Sequence, residues 1–311
     1  MEDFCLFRTD RLCYNKKKCT GGVSMSVDVL QEKIRKTKNP TVVELGMCLS
    51  QLPPQFASDA AGYCAFCKEL LAGLKGSVPA VRVSFGCFAM LGAEGMSALA
   101  DVLNTAGSLG FYVILDAPEI LSVRAAQQTA DTLLGSDVFP CDAVVIGGYL
   151  GSDVIKPFLP YVKEKKKDLF VVARTANKSA PELQDLLAGS RVVHAAAADH
   201  VNRYGSDTSG KYGYTRVGIL AGASSAQGLK NLRTKYPKLF LLLDGADYPN
   251  ANAKNCSNAF DKFGHGAAAC VSDSVVCAWK AAESDGSDFV IHSVAAADRM
   301  KKNLTRYVNV L

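Results

Sequence analysis

The sequence has no run approaching the roughly 18–20 consecutive apolar residues that a helix needs to cross a bilayer, and no apolar core of a secretory signal near its start. A cytoplasmic protein is therefore expected. Charge of one sign is also scarce: the formal net charge is +5 over 311 residues, and the basic side chains are interleaved with acids. That balance excludes the broad basic face by which a protein binds nucleic acid or an anionic membrane, so neither is expected as a partner. The densest basic run, Lys163 to Lys167, reads as a solvated helix end.

Metal-binding spacings are missing too. His194, His200, His265 and His292 are scattered, with no His-x-x-His pair among them. Cys64 and Cys67 form one Cys-x-x-Cys without a second pair, which points to core or free thiols rather than a zinc or redox centre. Among the 11 cysteines, Cys87, Cys270 and Cys277 fall within predicted strands and helices. There a thiol behaves as a small buried hydrophobe in a reducing compartment. No Gly-x-Gly-x-x-Gly follows the first apolar run and no P-loop occurs, so a nucleotide-cofactor fold is the weaker reading. No spacing in the chain specifies a metal site.

What the chain does contain is an alternation. Short apolar, β-branched runs occur at Thr41–Leu45, Ala80–Phe85, Phe111–Asp116, Asp142–Gly147, Leu169–Ala173, Arg216–Ala221, Leu239–Leu243 and Ala267–Ser272. Amphipathic segments such as Glu94–Ala106, Val123–Leu134 and Ser225–Lys235 lie between them, with Ser152/Asp153 as a helix start and Gly107 and Gly110 as stops. Strand then helix, eight times over, predicts an α/β protein folded as a single (β/α)8 TIM barrel, with strands buried on both faces. Residues 1–24, with Cys5, Cys13, Cys19 and the tract Lys16 to Lys18, lack apolar periodicity. They read as a poorly ordered extension before a barrel spanning 25–311, with Met25 as an alternative start. From Ser26 onward Val27, Leu30 and Ile34 predict a first helix covering one end of the domain. Asn202 to Tyr214, rich in Gly, Ser, Asp and Tyr, reads as a surface insertion.

The stretch from Phe111 to Thr132 is where chemistry is expected, because loops at the carboxyl ends of barrel strands build the pocket. It offers Asp116 at the strand end, then Ala117, Pro118, Glu119, Ile120 and Leu121, and no base. Asp116 reads either as a cap on the following turn or as a ligand contact. Glu119 reads as solvated or paired with Arg124.

Four stretches carry a resemblance. They are NPTVVELGMCLSQLP (Asn39–Pro53), VILDAPEI (Val113–Ile120), DAVVIGGYLGSDVIKPFL (Asp142–Leu159) and FVVARTANKSAPELQDL (Phe170–Leu186). Together, in order and spacing, they resemble the orotidine 5'-monophosphate decarboxylase family, in particular its longer bacterial branch, from about Ser26 to Ala282. The last stretch looks like the family's fifth strand, its loop and a following Leu-Gln-Asp-Leu helix. The resemblance implies a cofactor-independent lyase that converts orotidine monophosphate to UMP and CO2 in pyrimidine biosynthesis, as a dimer whose sites lie at the subunit interface. It implies a pocket that uses Arg82, Asp116, Tyr149, Arg174, Thr175, Asn177 and Gln184.

It also exposes departures. The family turn reads Asp-Ala-Lys-Arg-Gly-Asp-Ile; here Asp116 and Ala117 match, Pro118 stands at the lysine, and Leu121 at the aspartate that serves the neighbouring subunit. Arg82 takes the place of a second-strand lysine, Gly46 of an aspartate, Ala176 of a serine, and Asp273 of the phosphate-clamping arginine. The loop after the seventh strand, Pro-Gly-x-Gly-Ala-Gln in the family, runs from Leu243 to Tyr248 without that pattern. Lysine supplies the proton in that reaction, and an arginine is too weak an acid to replace it. Three expectations follow. One is a homologue that has lost the chemistry and acts as a binding or regulatory protein on a nucleotide-like small molecule, as a homodimer or beside an active paralogue. The second is an active decarboxylase whose lysine comes from elsewhere, with Lys178 or Lys211 as candidates. The third is a barrel enzyme of changed specificity using Asp116, Glu119, Asp244 and Asp247, which could gather a divalent metal.

Overall fold

Val27, Leu30 and Ile34 recur at three- and four-residue intervals, so a helix brings them onto one face; all three are buried in α1 (Val27–Thr37). The computed structural model describes residues 27–311, and the expected extension over 1–24 lies outside them. Each apolar run then forms a parallel strand. They are β1 (Thr41–Leu45), β2 (Ala80–Ser84), β3 (Tyr112–Asp116), β4 (Ala143–Gly147) and β5 (Asp168–Arg174). A short antiparallel pair follows, β6 (Leu187–Ala188) and β7 (Arg191–Val192), and then β8 (Thr215–Gly222), β9 (Leu239–Asp244) and β10 (Ala267–Val271). The eight long strands close in the order β1-β10-β9-β8-β5-β4-β3-β2, all parallel, as a TIM barrel must.

Outside the strands pack α2 (Ala60–Leu74), α3 (Phe85–Ala89), α4 (Gly92–Leu109), α5 (Val123–Leu133), α6 (Leu159–Glu164) and α7 (Val193–Gly205). The ring is completed by α8 (Ala226–Lys235), α9 (Ala253–Ser257), α10 (Asp273–Val276), α11 (Ala278–Ala281) and α12 (Phe289–Thr305). Gly110, at φ 90°, ends α4, whereas Gly107 lies within that helix. Ser152 begins only a short 3-10 turn and caps nothing with its side chain. No helix among the described residues is long and apolar enough to cross a membrane.

Two cores result. One lies between barrel and helices; the other fills the barrel, where Ile114, Val145, Phe170, Phe240 and Leu242 meet Val27, Leu30 and Ile34 of α1. α1 thus plugs the amino end, and Gln31 fastens it by accepting the Gly266 N–H at 3.1 Å. The segment expected as an insertion over Asn202–Tyr214 is only partly a loop: Asn202 to Gly205 finish α7. The remainder is tied to the plug, since Asp28 accepts the backbone N–H of Lys211 at 2.8 Å and Tyr214 packs in the barrel core. The run Lys163–Lys167 ends α6 at the surface. Cys64 and Cys67 are buried on α2, and Cys270 and Cys277 are buried as well. Cys87 is half-buried and donates to the Gly46 carbonyl at 3.1 Å.

Candidate functional site at the barrel mouth

In a parallel barrel alternate residues of each strand face inward, so β1, β2, β3 and β9 point a column of side chains toward the axis. At the amino end and the middle these are apolar. Toward the carboxyl end they become Glu44, Arg82, Asp116 and Asp244. Register places Glu44 beside Arg82, and Ser84 beside Asp116. Arg82, only 8% exposed, sits at the centre: its Nε donates to Asp116 at 2.7 Å, and its Nη1 donates to Asp244 at 2.9 Å and to Glu44 at 3.1 Å. The second oxygen of Asp244 accepts the Ala176 N–H at 3.2 Å, which draws the loop after β5 over the quartet. Gly222 lets that loop in; a Cβ there would lie 2.6 Å from the Thr175 carbonyl oxygen.

Three carboxylates around one guanidinium leave the quartet with an excess of negative charge. Burial is the main cause that lifts the Glu44 carboxyl to about 7; Arg82 opposes the rise, and Asp116, Asp244 and Asp247 add to it. Burial raises Asp116 too, again against the pull of Arg82. Burial also works against the charge of Arg82, yet Asp116 and Glu44 hold it firmly protonated.

Beside the quartet opens a cleft of about 440 Å³. Glu44, Asp247 and Asp273 are its charged lining residues, with Cys48, Gln51 and Tyr248 around them; no lysine or arginine lines it among the described residues. Asp247 is held in place by the backbone N–H groups of Ser272 (2.9 Å) and Ser274 (3.3 Å).

The expected site residues fall into two groups. Arg82 and Asp116 meet in the quartet, so Asp116 serves there rather than as a turn cap; α5 is capped by Ser122. Arg174, Thr175, Asn177 and Gln184 meet in the loop after β5, where they largely satisfy one another. Arg174 makes a fork to both oxygens of Asp185 at 2.9 Å. Gln184 accepts the Thr175 N–H at 2.8 Å, and the Thr175 hydroxyl donates to Asn177. Tyr149 donates to the Ala173 carbonyl at 2.5 Å. Glu119 is exposed, and it makes no ion pair with Arg124. The four acids proposed as a metal cage do not converge, because Arg82 stands between Asp116 and Asp244 and Glu119 is exposed and outside the cleft lining. No group of three or more His, Cys, Asp or Glu residues placed to hold a metal occurs among the described residues. Lys211 lies at the opposite end, paired with Glu32 of α1, which removes it as a candidate for the mouth. Lys178 is exposed on the loop after β5 and does not line the cleft.

Glu44 is the residue that sequence reasoning missed. Its one signal was an acid inside the otherwise apolar run TVVEL.

No protein-family model matches the chain. An orotidine 5'-phosphate decarboxylase of Rhodopirellula baltica is 31% identical over 268 residues, covering 82% of this chain and 89% of the relative. The chain belongs to the orotidine 5'-phosphate decarboxylase family. A decarboxylase of Clostridium novyi is 26% identical over 285 residues, covering 90% of this chain and 98% of that one. In structure, a putative orotidine 5'-phosphate decarboxylase of Streptomyces avermitilis superposes with a TM-score of 0.76 at 22% identity, over 93% of this chain and 99% of that one. One of Toxoplasma gondii gives 0.75 at 20%, over 92% and 100%. At those identities the structures speak for the fold alone. In this barrel the mouth carries the quartet built on Arg82, with Pro118 in the turn after β3.

Proposed function

We propose that this chain keeps the barrel and mouth of the orotidine 5'-phosphate decarboxylase family without its reaction, and works in the cytoplasm as a binding or regulatory protein for a nucleotide-like small molecule. The observation that carries this reading is the quartet. Its cation is a guanidinium locked by three carboxylates, and an arginine cannot hand a proton to a carbanion near neutral pH. Pro118, at the place the resemblance gives to the family lysine, has neither a side-chain donor nor an N–H. Asp273 lines the cleft where the family would clamp a phosphate, so a phosphate dianion meets repulsion there. Leu121 and Leu150, exposed on the loops after β3 and β4, and Val123, exposed at the start of α5, are apolar side chains suited to a homodimer or to pairing with an active paralogue.

The test is an assay of the purified chain for UMP formation from orotidine 5'-phosphate, with thermal shift by UMP in parallel. No UMP and no shift are expected; turnover that survives removal of contaminating decarboxylase would overturn the reading.

A second reading, a barrel enzyme of changed specificity, is favoured by Glu44. A carboxyl group lifted to about 7 and lining a cleft is suited to acid–base work at neutral pH. Loss of any discovered turnover in Glu44→Gln, with the fold intact, would support it.

A further inference from the structure

A second concavity lies outside the barrel, between α7, α8 and the β6–β7 hairpin, with a volume of about 350 Å³. Its floor is apolar: Val192, Ala195, Leu232 and Tyr236 line it, and Leu187, 76% exposed, stands over it. Leu183 and Leu186, also exposed, continue the apolar surface along the same loop. Large side chains left in water over a formed groove mark an interaction surface more often than a fault.

The rim has a sign. Arg191 and Lys235 both line the groove, and both pair with the single carboxylate of Asp199, at 3.1 and 3.0 Å. Asp199 also accepts the Tyr236 hydroxyl at 2.6 Å. Two cations thus share one acid, which is already engaged by a third donor. The rim keeps one positive charge in excess, on side chains half in water, where existing ion pairs are weak and easily re-partnered.

We propose that this groove docks an acidic, leucine-bearing segment of a partner protein, with its apolar side chains on Leu187, Leu232 and Tyr236 and its carboxylates on Arg191 and Lys235. The inference is independent of what binds at the barrel mouth.

The probe is a fluorescein-labelled twelve-residue peptide of glutamate and leucine at helical spacing, followed by anisotropy. A lysine–leucine peptide and a glutamate–serine peptide serve as controls. The glutamate–leucine peptide alone is expected to bind, more weakly as salt is raised. Leu187→Ser and the pair Arg191→Ala/Lys235→Ala should each weaken binding by about fivefold or more, with the melting temperature unchanged. Backbone amide shifts on adding the peptide should fall on 187–195 and 228–236. Equal binding of the lysine–leucine peptide would overturn the proposal, as would indifference to both variants or shifts confined to the mouth. A loss of self-association in Leu187→Ser, measured by sedimentation, would assign the groove to a second copy and overturn it as well.

Discussion

Arg82 is the residue on which the mouth depends. Replacing it with alanine would leave Glu44, Asp116 and Asp244 crowded without a counter-charge, and removal of one partner from a buried ionic group costs about 3–5 kcal/mol. Arg82→Ala is therefore expected to lower stability by that order in urea denaturation at pH 7. Arg82→Lys should lose less, because an ammonium keeps the charge but cannot fork to three acids. Glu44 gives the opposite expectation. Its folded pKa is raised from 4.5 to about 7, so the folded chain holds a proton that the unfolded chain has released between those values. Stability then falls as pH rises through that window, by up to about 3 kcal/mol from this group. Asp168, fully buried at the amino end between Tyr112 and Arg216, is likewise pushed by burial from 3.8 to about 7 and acts in the same sense. Melting at constant ionic strength should occur at a higher temperature at pH 5 than at pH 8, and Glu44→Gln should narrow the difference. An unchanged difference in Glu44→Gln would mean that Glu44 titrates as an ordinary carboxylate. These pairings were hidden from sequence reading. Glu44, Arg82 and Asp244 are distant along the chain, and only closure of the barrel brings the three strand ends together.

Elements were far more legible than contacts. The eight strands could be read because a strand buried on both faces is a largely apolar run, and the helices between them by periodicity; the caps Ser122 and Ser225 emerge only in the structure, whereas Ser152, read as a helix start, opens a 3-10 turn. The stretch after β5 misled for an equally physical reason. The family resemblance implied a Leu-Gln-Asp-Leu helix over Leu183–Leu186; the chain instead makes a 3-10 turn at Ala180–Glu182 and then the β6–β7 hairpin. The turn signal was present in Gly189, at φ 66°, followed by Ser190. Leu183, Leu186 and Leu187 face solvent, so no buried apolar face holds a helix there. The plug α1 is the element whose loss should be felt most widely. Ile34→Ala removes a side chain with no exposure from the barrel floor and is expected to cost about 2–5 kcal/mol. The same substitution at Ile291, exposed on α12, should be nearly neutral, and chemical denaturation of both variants would compare them.

For the whole molecule, fold and family follow from the sequence pattern, while the proposed function turns on a few mouth positions at which the resemblance implies other residues. On the proposed reading several of these positions act together, so no single substitution should confer the family's reaction. Pro118→Lys would return the amine but leave Leu121, Ala176 and Asp273 as they are. It is expected to form no UMP in an assay sensitive to a single turnover per hour, and turnover from this variant alone would show that the other departures are tolerated.

The closed amino end has a practical corollary for handling the protein. Arg35 on the plug donates to the Leu311 carbonyl at 2.6 Å, and Leu311 in turn hydrogen-bonds to Phe263, so the last residue is moored beside α1. The far end of the barrel, with the acidic cleft, carries neither Val27 nor Leu311. A surface-immobilisation tag placed after Leu311 would hang the molecule by its floor and present the open mouth to whatever flows past.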